Sequence, residues 1–155
     1  MSKVMIIEDD MQINNVYKKV LVAVGHDVVG VKSIEEAEKM LKEFTPSVFI
    51  IDRMLPKESG DEFIKRYDFG MAVPFMITGS VIDDEYIIEK MKSGLLYVLK
   101  KPVAMNMLQQ CVEAAARYSE LRECQNNVLN VCDELKRALD EAENSVKEAM
   151  KSSRI

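Results

Sequence analysis

The sequence predicts an α/β protein built on a doubly wound, five-stranded parallel sheet, followed by one long helix. Five short apolar runs point to the sheet: Val4 to Ile7, Val28 to Val31, Val48 to Ile51, Phe75 to Ile77 and Tyr97 to Leu99. Each is nearly continuous in apolar residues rather than alternating, as expected of parallel strands covered on both faces. Helical periods separate them, so five βα units follow one another, with strand order 2-1-3-4-5. The final helix is signalled by the loss of all Pro and Gly from about residue 104 to 151.

Taken in order, the first helix places Ile13, Val16, Tyr17, Val20, Leu21 and Val24 on one face, and Gly25 suits its stop. Ser33 and Glu36 form a capping box ahead of Ala37, Met40, Leu41 and Phe44. Gly60 frees the turn into the third helix, and Gly94 ends the fourth. Met5, Met40, Met76 and Met91 fit core positions. In the last helix a heptad register fits. Cys111, Tyr118, Gln125, Cys132, Leu139 and Val146 take one core position, and Met107, Ala114, Leu121, Val128, Leu135, Ala142 and Ala149 take the other. The expected division is 1–105 for the α/β domain, 106–151 for a coiled-coil helix and 152–155 for a tail.

The 155 residues have room for one ordinary domain and an extension. A net charge of -5, with no Lys/Arg run longer than two, argues against a DNA- or RNA-binding surface. No apolar run approaches the roughly 18 residues of a membrane helix. Acidic residues appear by position 8, unlike an export signal. Cys111, Cys124 and Cys132 are odd in number, lack metal-ligand spacing and share one helix. A reduced, cytoplasmic protein is the expectation.

In an open α/β sheet the functional groups gather at the carboxyl ends of the strands. Those ends carry Glu8, Asp9 and Asp10 after the first strand, Asp52 after the third, Thr78 after the fourth and Lys101 after the fifth. Acids packed so closely repel one another unless a cation neutralises them. Oxygen ligands of this kind suit Mg²⁺. A carboxylate beside such an ion can attack a phosphoryl group, while an amine and a hydroxyl bind the new phosphate oxygens. Read alone, the acids at positions 8 to 10 could equally serve a helix N-terminus. Thr78 alone could be a cap, and Lys100 reads as a surface lysine.

The run Ile6-Ile7-Glu8-Asp9-Asp10, then Ile51-Asp52 with Met54, Pro56 and Gly60, then Ile77-Thr78-Gly79, then Lys101-Pro102, resembles a response-regulator receiver domain over about residues 1 to 105. The resemblance implies a flavodoxin-like fold. It also implies Mg²⁺ held by Glu8, Asp9 and Asp52, and phosphorylation of Asp52 by a sensor histidine kinase. Thr78 would be the switch hydroxyl, Lys101 the phosphate-binding amine, and the Lys101–Pro102 bond cis. Receivers usually carry an aromatic switch residue three places before that Lys. Here the position is Val98, with Tyr97 one place earlier. Either a bulge restores the register of Tyr97 or the usual coupling is altered.

A phosphatase using the same Asp is the competing reading. Its D-x-D chemistry fails here because Arg53 and Met54 follow Asp52, so no acid stands two residues on. His26, the sole histidine, is expected in a solvent-exposed turn. The stretch Ala114 to Arg122 is similar to coiled-coil linkers before RNA-binding antiterminator, cyclase or kinase modules. Pairing of the long helix into a homodimer would cover its apolar stripe.

Overall fold

The structure is a computed structural model that describes residues 1–80 and 82–153. Its elements run β1 (Lys3–Ile7), α1 (Met11–Ala23), β2 (Asp27–Val31), α2 (Ile34–Met40), β3 (Val48–Asp52), α3 (Gly60–Arg66), β4 (Val73–Thr78), α4 (Asp84–Lys92), β5 (Val98–Lys100) and α5 (Met105–Ser152). The sheet is parallel throughout and ordered β2-β1-β3-β4-β5, as the sequence predicts. The chain divides into two compact units, Met1–Glu120 and Leu121–Ile155.

In the first unit, alternate strand residues feed two apolar layers, the consequence of a side-chain period of two. Val4, Ile6, Val48, Ile50, Phe75 and Ile77 point toward Tyr17 and Leu21 of α1 and Leu108, Val112 and Ala115 of α5. Met5, Ile7, Phe49, Ile51 and Met76 point the other way, toward Ile34 and Ala37 of α2 and Phe63 and Ile64 of α3. Every residue of β3 and β4 is buried. Burying each large aliphatic or aromatic side chain contributes about 1.5–3 kcal/mol, so the two layers dominate the stability of this unit.

Local chemistry sets the helix ends. Asp10 caps α1 by accepting from the backbone N–H groups of Gln12 and Ile13. Gly25 follows α1 at φ 97°, a left-handed conformation that favours glycine. The Ser33 hydroxyl accepts from Glu36 N–H at 3.1 Å. The Glu36 carboxylate, however, reaches Lys32 N–H rather than Ser33, so the box closes one residue early.

Several expectations are corrected. Val16 and Val24 are about half exposed, and the buried polar face of α1 is Asn14 instead. Asn14 is tolerated there because its amide donates to the carbonyls of Glu8 and Val31, both at 3.0 Å. Met91 is 55% exposed, whereas its neighbour Lys90 is buried. β4 begins at Val73 and β5 at Val98. His26 is partly buried and accepts from Ser2 N–H at 3.3 Å.

The start of α5 also differs from a simple heptad. Leu108, Cys111, Val112, Ala115, Ala116 and Ser119 are buried, while Met107 and Tyr118 are half exposed. Cys111 is therefore a core side chain of the first unit. The Ser119 hydroxyl donates to the Met71 carbonyl at 2.9 Å. In the second unit, α5 continues to Ser152 with Leu121, Val128, Leu135, Leu139 and Val146 each more than half exposed. Of the expected tail, Ser153 lies in a turn, and residues 154 and 155 lie outside the described residues.

Candidate functional site

Four strand ends build the candidate site. β1 delivers Glu8 and Asp9, β3 ends on Asp52, β4 ends on Thr78, and Lys101 follows β5. Glu8 and Asp52 are almost fully buried, whereas Asp9 is exposed. The Lys101 ammonium bridges the two buried acids, 3.0 Å from Glu8 Oε2 and 3.3 Å from Asp52 Oδ2. The backbone turns Lys101 inward: its N–H donates to the Thr78 carbonyl at 2.8 Å, and the Lys101–Pro102 bond is cis, as the resemblance implied. The other Asp52 oxygen accepts from Met54 N–H at 3.2 Å.

Gly60 is required at this point by a close approach. A Cβ there would lie 2.5 Å from the Asp52 carbonyl and 3.0 Å from Ile51 Cγ2. The first turn of α3 can therefore sit against the end of β3 only without a side chain. Thr78 is buried, and its hydroxyl accepts from Ser80 N–H at 3.1 Å. Asp10, beside the acidic set in sequence, is used up as the α1 cap. Lys100 is exposed, as expected.

The electrostatics follow from burial. Burial pushes the Glu8 carboxyl up to about 7; the Lys101 hydrogen bond opposes the rise, and Asp52 adds to it. Burial alone would lower the Lys101 amine, but Glu8 and Asp52 outweigh it and hold its pKa above the usual value. One oxygen from each of Glu8, Asp9 and Asp52 lies within 4.8 Å of the others. Three carboxylates and no softer donor make a set that fits a hard divalent cation such as Mg²⁺.

The β4–β5 pairing decides between the two readings of Tyr97. Met76, Ile77 and Thr78 stand opposite Val98, Leu99 and Lys100 in regular register, without a bulge. Val98 packs toward the α2–α3 layer and Tyr97 is 38% exposed, so no aromatic ring is restored at position 98. Sequence reading missed what does occupy this side of the molecule. Arg53, Asp61, Tyr86 and Lys90 meet there through hydrogen bonds and ion pairs. The available signal was the four-residue spacing of Tyr86 and Lys90 on α4, one helical turn apart.

The chain belongs to the response regulator receiver domain family, whose model matches residues 4–113. Such domains act in two-component systems, interact with sensor histidine kinases, bind Mg²⁺ at an acidic pocket and are signalling domains rather than conventional enzymes. The chain is 29% identical over 120 residues to the transcriptional regulatory protein AfsQ1 of Streptomyces coelicolor, covering 77% of this chain and 53% of that protein. It is 30% identical over 120 residues to the sensory transduction protein BceR of Halalkalibacterium halodurans, covering 76% and 51%. The chain thus spans about half the length of the curated relatives it matches. A response regulator receiver domain from Clostridium thermocellum superposes with a TM-score of 0.69 at 25% identity, over 78% of this chain and 98% of that one. Among the described residues no helix is long and apolar enough to cross a membrane.

Proposed function

We propose that this receiver domain accepts a phosphoryl group on Asp52 from a sensor histidine kinase and signals by the resulting change of charge. The observation that carries the reading is the Lys101 ammonium held between the buried Glu8 and Asp52 carboxylates at the carboxyl edge of the sheet. In the transfer, an Asp52 oxygen bonds to phosphorus as the phosphorus–nitrogen bond of the kinase's phosphohistidine breaks. The imidazole leaves with the electron pair. Glu8, Asp9 and Asp52 would hold Mg²⁺, which when bound supplies positive charge for the incoming phosphoryl oxygens. The Lys101 amine and the Thr78 hydroxyl then bind those oxygens. Hydrolysis of the acyl phosphate restores Asp52, so the chemistry is self-phosphorylation from a donor and self-dephosphorylation.

A groove of about 560 Å³ beside Lys101, lined by Ile13, Val16, Tyr17, Pro102, Val103 and Met105, would give the kinase an apolar surface next to the site. It also gives the exposed Val16 a use. The second unit would carry the output by pairing with a second copy of itself or leading into a further module. The support is its unpaired apolar stripe.

Intact mass after treatment with acetyl phosphate tests the acceptor. The protein should gain one phosphoryl group with Mg²⁺ and none in excess chelator, and Asp52→Asn should gain none. Equal labelling of that variant would remove Asp52 from the role.

A further inference from the structure

A second charged cluster adjoins the first at Arg53, the residue after Asp52. Arg53 Nε donates to Asp61 Oδ2 at 2.9 Å. The Tyr86 hydroxyl donates to Asp61 Oδ1 at 2.5 Å, and Lys90 Nζ stands 3.0 Å from the same oxygen. The Arg53 guanidinium also lies over the Tyr86 ring, 4.3 Å from its centre. Three elements meet here: the end of β3, the first turn of α3, and two successive turns of α4. Burial alone would raise the Asp61 carboxyl, but hydrogen bonds from Tyr86, Lys90 and Arg53 prevail and hold its pKa below the usual value.

The composition of this cluster is unusual for a structural clasp. Two cations share one carboxylate, and Lys90 is 3% exposed. Such an arrangement has cationic charge to spare, beside the very residue that would gain a dianionic group. Arginine is the side chain best suited to leave a carboxylate for phosphoryl oxygens, because its planar fork matches them. Val98 has no ring that could follow a movement of Thr78.

We infer that Arg53 relays the state of Asp52 to α4. With a phosphoryl group on Asp52, the guanidinium turns from Asp61 and the Tyr86 ring toward the phosphoryl oxygens. The first half of α4 then loses the guanidinium that covers the Tyr86 ring and is held less firmly. Lys90 and Asp61, now a balanced pair, keep the second half in place. The relay rests on Asp52 being the phosphoacceptor.

Amide hydrogen exchange on the full chain tests it, with Mg²⁺ and beryllofluoride as a stable phosphoryl mimic. In the unsubstituted protein, exchange in residues 84–88 should quicken about tenfold on addition of the mimic, while Lys90 changes little. Arg53→Gln, which lacks the guanidinium over the Tyr86 ring, should exchange quickly with or without the mimic and should lose the response. Arg53→Lys should recover part of it, because a purely structural role would not restore a response to the mimic. Tyr86→Phe, a milder change, should exchange quickly in both states. A response in Arg53→Gln equal to that of the unsubstituted protein, or no response in either, overturns the relay. Mimic bound to Asp52→Asn as tightly as to the unsubstituted protein would overturn the phosphoacceptor reading, and the relay with it.

Discussion

Replacing Gly30 with Ala should destabilise the first unit through Asn14, and the size of the effect can be worked out. Gly30 sits in β2 opposite Ile6. A Cβ added there would lie 2.1 Å from Asn14 Oδ1 and 3.0 Å from its Cγ, well inside contact distance. Asn14 is fully buried, and Oδ1 has no hydrogen-bond partner, so it rests against the Gly30 backbone. Making room means moving the Asn14 amide, which donates to the Glu8 and Val31 carbonyls. Two buried hydrogen bonds at about 1 kcal/mol each, plus the Glu8 carbonyl left unpaired (the Val31 carbonyl still accepts from Glu8 N–H), total about 3–4 kcal/mol. The entropic gain of Gly→Ala in the unfolded chain returns about 0.5–1 kcal/mol. The net cost is about 2–3 kcal/mol, or roughly 6–12 °C in Tm. Urea unfolding of Gly30→Ala, Asn14→Ala and the double variant measures it. The alanine at 30 should cost far less once Asn14 is gone. A single variant within about 0.5 kcal/mol of the unsubstituted protein, or an equal cost in both backgrounds, would refute the argument.

Two further outcomes are expected. Glu8 has its pKa raised from 4.5 to about 7, so its protonated form is favoured by folding, and that contribution is complete below about pH 4.5 and lost as pH rises through 7. Metal-free protein should therefore lose stability between those values, on the order of 2 kcal/mol, and Glu8→Gln should flatten the decline; a rise with pH would contradict it. The 155-residue chain should be a dimer at micromolar concentration by light scattering, and a chain ending at Glu120 a monomer that still accepts phosphate. A mass near 17.6 kDa for the 155-residue chain would defeat the pairing.

The sheet was legible because each strand is a nearly unbroken apolar run, and parallel strands covered on both faces leave no other pattern. The strand-end residues were legible for a related reason. Once the strand order is known, Glu8, Asp52, Thr78 and Lys101 have only one edge to occupy, and they occupy it. Side-chain bookkeeping on the helices was not legible. Period alone assigned Val16 and Met91 to the core, while Asn14 and Lys90 are the buried residues. Both polar residues are admitted by partners distant in sequence: the Val31 carbonyl for Asn14 and Asp61 for Lys90. No local rule reports such partners. The opening turns of α5 misled for the same reason, since Leu108 and Val112 pack on strands rather than on a second helix.

Position 98 of this receiver domain is valine, so no ring stands there to follow a movement of Thr78. A receiver that relies on a ring at that position couples β4 to β5 through the space the ring vacates. Here β4 and β5 are locked in regular register, and Val98 packs into the layer with nothing to swing. Under the proposed function, a charge on Asp52 would be felt first by side chains that touch both the β3 end and another element. Arg53 does so on the α4 side, through Asp61 and the Tyr86 ring. Lys101 does so toward β5, but it is already committed to Glu8 and Asp52 and followed by a backbone hydrogen bond to Thr78. A lysine held by two carboxylates changes partners without displacing its own strand, whereas an arginine leaving a three-donor hub alters what every other donor there feels. On the relay inferred above, the α3–α4 side is where a change of charge at Asp52 would produce the larger rearrangement.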